Sequence, residues 1–485
     1  MGFSYGLAVI LAIFEGIIIQ CEGGGASSSN RRRILVPREV AGGEITSNQI
    51  QDAPINDIKE HLLFLPNDLN EVIYSQLDFE TIRNAVQAGI LRAPDPIVSR
   101  KLQHCIIRIN PQDFYGGIHE YYRHGELFLS FGVFQELIIF FNKFGDQVKK
   151  IEIRYQNDFL HNQINKNIIQ RYAKNLEELR INTRNDDGFW KDISDGKRDI
   201  IFPEVKKFQF CGCSSRNEFK LNSIFPKLES LELFDDIKDE NCLANIKGLK
   251  ELTLGTTSIE EHQLDRIFAN NQNISKLSLF MMPKEAKTMH SIEKYLTKLK
   301  TLVLRHPGED FLLRRNNSPV CKLPSVTHFH IIFSHMDKIF GFGNFSFDMP
   351  KLEKLTLEGD ETDGRIINFI THFEKLETVE LLVKKYNGVK CIEKLEKHIK
   401  EFTTFFFETI LYQLPLRHVF ENLDDTSQLQ TLKFVYCYGS SYEKYESQMK
   451  KINNDLKNSG KRTWTISHGI QIETGLRYLM FKRDS

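Results

Sequence analysis

One apolar pattern recurs through most of this chain and constrains its fold more than any other feature. It runs apolar, two variable residues, apolar, one variable residue, apolar. Copies stand at Val148-Ile151-Ile153, Leu176-Leu179-Ile181, Val205-Phe208-Phe210, Leu228-Leu231-Leu233, Leu249-Leu252-Leu254 and Ile274-Leu277-Leu279. Further copies are Leu299-Leu302-Leu304, Val326-Phe329-Ile331, Leu352-Leu355-Leu357 and Leu376-Val379-Leu381, with a return at Leu429-Leu432-Phe434 and an earlier copy read at Leu102-Cys105-Ile107. From 148 to 376 the copies are spaced by 28, 29, 23, 21, 25, 25, 27, 26 and 24 residues. The fourth and sixth positions alternate along a short strand, so both side chains leave on the same face. The first position joins them from the preceding turn. The rest of each unit must travel back to the start of the next strand, which makes the strands parallel. Stretches 259–270 and 289–299 carry helical apolar spacing and suit that return. A single unit cannot bury its apolar face alone, so the units must stack.

On these triplets the chain resembles the leucine-rich repeat superfamily over about 148–440, with an earlier start near 102. The resemblance implies an α/β solenoid with a curved parallel sheet on the concave face and helices on the convex face. The Asn or Cys that such repeats carry beyond the sixth position is replaced here by Asp236, Thr257, Met282, Pro307 and Asp360. The period breaks over 382–428, where 391–413 reads as one long helix with a Phe cluster at 405–407. That stretch is a cap, an insertion or a degenerate repeat. Residues 442–456 read as a helix, and 462–467 and 475–482 as strands, the candidates to cover the open end of the core.

Ahead of the repeats lies a block with different spacing. Pro66 can open a helix, because its missing N–H would be unpaired there anyway, and Leu69, Val72, Ile73 and Leu77 follow at aliphatic helical intervals. Asp78 can cap a second helix carrying Thr81, Ile82 and Ala85. Leu65-Pro66, the aliphatic helix, the Leu77-Asp78 joint and the second helix resemble an F-box, although the Trp that often follows is missing. A Leu-Pro helical block before the repeats is the layout of F-box/leucine-rich repeat proteins. The resemblance implies that Leu65, Pro66, Leu69, Val72, Ile73, Leu77 and Ile82 bind a Skp-type adaptor of a cullin–RING ligase. A plain helical cap on the solenoid is the other reading of the same residues. The organisation expected is a flexible lead over 1–57, an F-box-like helical module over 58–100, the solenoid over 101–440 and a C-terminal cap over 441–485.

Composition excludes some classes. The 64 basic and 64 acidic side chains leave no net positive charge among 485 residues, so the broad electrostatic footprint of a nucleic-acid binder is absent. Hydrophobic residues at 41% suit a folded chain, and 37 Phe against 2 Trp favour a core of rings without polar handles. The eight cysteines are dilute, and Cys211-Gly-Cys213 lacks a second ligand pair at zinc spacing, so thiols in a reducing compartment are expected. Residues 7–19 match a secretory apolar region in length. No Lys or Arg precedes them, Glu15 interrupts them, and Arg31-Arg32-Arg33 follows. The expected compartment is cytoplasmic or nuclear, without a membrane. If residues 1–25 are a signal peptide, the chain is secreted, and sequons at Asn273, Asn316 and Asn344 fit that alternative.

No catalytic, cofactor-binding or metal-binding residue stands out, and no enzyme activity is expected. His119 and His124 are five apart, one too many for a zinc-protease helix face, and read as a solvated helix or loop. Gly341 and Gly343 lack the third glycine of a dinucleotide turn, and Asp186, Asp187, Asp192 and Asp195 read as a hydrated loop. Recognition of an unknown protein substrate is the expected chemistry. Phe280, Met281, His306, Phe333, Val383 and Tyr436 follow the sixth position and are the candidate substrate-binding ridge, if they do not tuck into the loop core.

Overall fold

The computed structural model describes residues 102–110, 118–123, 126–131, 133–155, 164, 168–183, 201–212, 221–234, 243, 245–255, 261–280, 287–305, 320–332, 347–361, 369–385, 392, 395–406, 416–423, 427–436, 442–470 and 477–484. The F-box-like block and the apolar lead lie outside them. Strands β1 to β10 span Ile106–Ile109, Ile118–Arg123, Glu126–Phe131, Lys150–Tyr155, Glu178–Thr183, Lys207–Cys211, Ser230–Leu233, Glu251–Leu254, Lys276–Phe280 and Thr301–Arg305. Strands β11 to β19 span Cys321–Lys322, His328–Ile332, Phe347–Asp348, Lys354–Glu361, Thr378–Lys385, Glu401–Phe406, Thr431–Tyr436, Trp464–Ile470 and Arg477–Arg483. The longer helices are α1 Phe134–Phe144, α2 Glu261–Asn270, α3 Lys287–Tyr295, α4 Leu416–Asn422 and α5 Tyr442–Asn458.

Seventeen strands form one sheet. Its spatial order is β2-β3-β1-β4-β5-β6-β7-β8-β9-β10-β12-β14-β15-β16-β17-β19-β18. From β3 to β17 every pairing is parallel. Fourth-position residues face one another across each pair (Ile151↔Leu179, Leu252↔Leu277, Leu355↔Val379), and so do the sixth. Both rows are buried, as are the first-position residues Val148, Leu176, Leu249 and Leu299. A parallel sheet usually hides both faces under helices and reads as continuous apolar runs. Here the strands alternate, so one face is core and the other is open. Two of the returns carry the small sheet β11–β13, with Phe347 edge-on to Phe329. The fold is therefore mixed α/β with a long, parallel-dominated sheet, consistent with a repeat solenoid.

The start of each strand is held by main-chain bonds, to which the Ser275 and Thr327 hydroxyls add a bond to Lys250 O and Lys300 O. Each carbonyl after the first triplet position accepts two N–H groups from the next unit: Lys149 O takes them from Glu177 and Glu178, Glu177 O from Lys206 and Lys207, Lys206 O from Glu229 and Ser230. The same link recurs to Lys400 O, which takes N–H from Gln430 and Thr431. The residues carrying these carbonyls are exposed or half-exposed and vary freely in type. Side chains join in on the core side, where buried Asn271 accepts from Leu249 N and donates to Ile246 O and Ile267 O, and buried Ser427 accepts from Leu429 N and donates to Glu396 O.

Three expectations are corrected. Stretch 391–413 is not one helix, because β16 pairs in register with β15 and β17 (Val379↔Phe402↔Leu432) and continues the array through Ile399, Phe402 and Thr404. Thr at the sixth position hid the unit. Ile107 and Ile109, not Cys105 and Ile107, align with Ile151 and Ile153. A two-residue slip keeps the same inward face, so alternation alone could not fix it. His119 lies on β2, paired antiparallel with Ser130, and not on a helix or loop.

Candidate interaction surface

Third, fifth and seventh triplet positions make three rows on the open face. Their character changes along the sheet. At the β1–β7 end the rows are charged and locked together. Arg180 donates its two Nη groups to the carboxylate of Glu126 on β3, one at 2.6 Å, and its Nε to Glu178 at 2.7 Å. Glu152 takes Nε of Arg154 at 2.8 Å and lies 3.7 Å from Nε of Arg108, whose Nη1 donates to the Tyr121 hydroxyl. Lys207 bridges Glu178 and Glu232 at 3.7 and 3.3 Å. Burial alone would raise the Glu126 carboxyl, but the hydrogen bonds and charge of Arg180 outweigh it and hold that group below its ordinary value of 4.5. For Arg180, burial favours the neutral form, and Glu126 and Glu178 reverse it, so the guanidinium is held charged more firmly than usual. A cleft of about 170 Å³ opens here between Glu126, Phe128, Arg154, Arg180, Asn182 and Gln209.

The middle strands differ. Thr253, Ser278 and Val303 stand side by side on β8, β9 and β10, small and uncharged. At the end of the same strands the Arg305 guanidinium lies 4.4 Å above the Phe280 ring. Phe280 meets Phe234 edge-on at 5.6 Å across β8. Gly255 occupies the register position between them, and a Cβ there would come within 2.8 Å of Phe234 Cα. From β12 onward polar groups pair again: Lys354 with Glu380 at 2.8 Å, and the His330 ring 3.5 Å from Glu358.

Of the six ridge residues expected from sequence, Phe280 is half-buried at the end of β9, and Val383 and Tyr436 occupy register positions on β15 and β17. Met281, His306 and Phe333 lie outside the described residues, as do Leu65, Pro66, Leu69, Val72, Ile73, Leu77 and Ile82. The seventh position is not a uniform apolar ridge, since Ile332 and Val435 are buried. What the fold brings together instead is Phe234, Phe280 and Arg305. The Glu126–Arg180 contact was invisible to sequence reasoning, because 54 residues separate the partners and only the pairing of β3 with β1 joins them. Among the described residues no group of three or more His, Cys, Asp or Glu is placed to hold a metal ion, and no helix is long and apolar enough to cross a membrane. Cys105 and Cys321 are buried thiols.

No protein-family model matches the chain, and no curated protein matches it. Among solved structures it is similar to the leucine-rich repeat-containing protein LegL7 from Legionella pneumophila, at 14% identity and a TM-score of 0.35, covering 66% of this chain and 94% of that one.

Proposed function

We propose that the chain is a non-catalytic recognition protein of the leucine-rich repeat type, and that the open face of its sheet holds a partner protein. The observation that supports this reading is the uninterrupted run of parallel strands from β3 to β17 with one polar, side-chain-bearing face. At about 4.8 Å per strand that face runs roughly 60 Å. With a usable width of about 15 Å along the strands it offers roughly 900 Å², close to one partner's share of a standard protein interface. On its two flanks the charges are fixed by neighbours, which suits selective docking more than loose attraction.

The finer proposal is a substrate-recognition subunit of an SCF-type ubiquitin ligase. Its support is the sequence of the 62–90 block and its position before the repeats. In that role residues 65–85 dock on a Skp-type adaptor, and the sheet raises the effective concentration of substrate lysines near a charged conjugating enzyme. Co-purification of the full chain with the adaptor tests it. Wild type is expected to co-elute, and Leu65→Asp and Ile73→Asp to lose the adaptor. Absence of wild-type co-elution removes the ligase reading and leaves protein binding by the sheet untouched.

A second reading, a secreted repeat protein, is favoured by one observation. The sequon at Asn273 is exposed, with its side-chain oxygen accepting from Lys298 at 2.7 Å. Expression in a eukaryotic secretory host separates the two: a cleaved, glycosylated product in the medium supports secretion, and retention of an unmodified chain supports the reducing compartment.

A further inference from the structure

Four arginines lie on the parallel strands among the described residues: Arg108, Arg154, Arg180 and Arg305. Arg108, Arg154 and Arg180 each meet a carboxylate within 4.0 Å. Arg305 does not, among the described residues. Its Nε is buried there with no hydrogen-bond partner, and its guanidinium rests on the Phe280 ring. A guanidinium carries five N–H donors in a fixed fork, and burying one unpaired is unfavourable. The aromatic face holds the charge by its quadrupole without using those donors. The fork is thus oriented in advance and chemically unfinished.

Its surroundings fit an incoming acid. The adjacent fifth-position residues Thr253, Ser278 and Val303 bring no charge of their own. Gly255, lacking a side chain, lets the Phe234 and Phe280 rings meet over β8, so a bound chain can rest apolar atoms against the two rings. On both flanks the charges neutralise one another, at Lys207 with Glu232 and at Lys354 with Glu380.

We propose that Arg305, supported by Phe280 and Phe234, anchors a carboxylate side chain of an acidic partner-protein segment lying across β8, β9 and β10, a proposal that rests on the reading of the open face as protein-binding. The carboxylate takes the two Nη groups of the guanidinium end-on, a geometry an ammonium cannot reproduce. Apolar residues beside the acid meet the Phe280 and Phe234 rings.

The test is selection from a displayed random peptide library by the immobilised full chain. Enriched peptides are expected to share an Asp or Glu beside an apolar residue. Affinity for one such synthetic peptide should fall roughly tenfold or more in Arg305→Gln, the loss expected for a charge-assisted hydrogen bond. Arg305→Lys should recover only part of it, and added salt should weaken wild-type binding. Arg305→Glu should select Lys or Arg at the same peptide position. Arg305→Gln is the milder change, and an unaltered melting curve for it separates lost binding from lost folding. Enriched peptides without an acid, or unchanged affinity in Arg305→Gln, overturn the Arg305 site while leaving the protein-binding reading intact. A wild-type selection that yields nothing above bare support overturns both.

Discussion

The two ends of the sheet both bury aromatic rings, but the first adds a tie of charge across the open face. At the first end the β2–β3 hairpin lies outside β1 and is tied across the open face by charge, through Glu126 to Arg180 and Tyr121 to Arg108. At the last end β19 turns the sheet antiparallel, β18 follows it, and aromatic rings lock the corner. Phe481 lies 5.1 Å from Phe420 and 5.7 Å from Phe434, and Phe420 lies 5.2 Å from Trp464. Helix α5 presses on the same strands with Tyr445, Met449, Ile452 and Leu456 buried, and Asn453 bonds both the N–H and the carbonyl of Trp464. Burial of rings resists salt and acid, and half-exposed ion pairs do not. Rings bury both core ends, Phe131 against Phe140 at the first and Phe481 against Phe420 at the last, and the first end adds a condition-sensitive ion pair across the open face.

Substitutions at the two ends sharpen the contrast. Phe481→Ala removes a fully buried ring from the aromatic corner and should cost about 3–5 kcal/mol, read by urea denaturation. Hydrogen exchange should then rise first at β17–β19, and not at β1–β4. Gly145→Ala tests packing near the opposite end. Its backbone tolerates alanine, but the new Cβ would stand 2.4 Å from the Tyr172 ring, so a loss of about 1–3 kcal/mol is expected by thermal melting. The smallest effect is expected for Glu126→Gln, about 1 kcal/mol near neutral pH after allowance for solvent screening. The sign with pH is fixed by the direction of the Glu126 shift. Its folded value lies below 4.5, so its contribution is complete above that pH and is lost as pH falls through the folded value. Wild type and Glu126→Gln should therefore converge in acid and in high salt, whereas Phe481→Ala keeps its deficit under both. Equal behaviour of the two variants would erase the contrast.

The sheet was legible because its core obeys a short local rule. Inward residues four and six recur, and pairing them in register is the cheapest way to bury them together. Where the rule blurs, so does the reading. Thr404 stands at a sixth position after a stretch rich in Glu and Lys with helical spacing, and β16 disappeared into a supposed helix. Cys105, Ile107 and Ile109 share one phase, so only the pairing with β4 could choose between them. The β2–β3 hairpin left no periodic trace. The open face was legible only as composition: Phe280, Phe234 and Arg305 each stand beside a sixth position, but their convergence needs three strands already in register. A cation resting on a ring has no spacing signature in sequence.

The doubled carbonyl link at the beginning of each strand has an evolutionary consequence. Its bonds come from backbone groups, so the side chains at Lys149, Glu177, Lys206 and Lys400 can be exchanged without disturbing its skeleton. Such a chain can rewrite what it displays, one substitution at a time, on a scaffold that stays put. What it presents to solvent can then drift much faster than its shape.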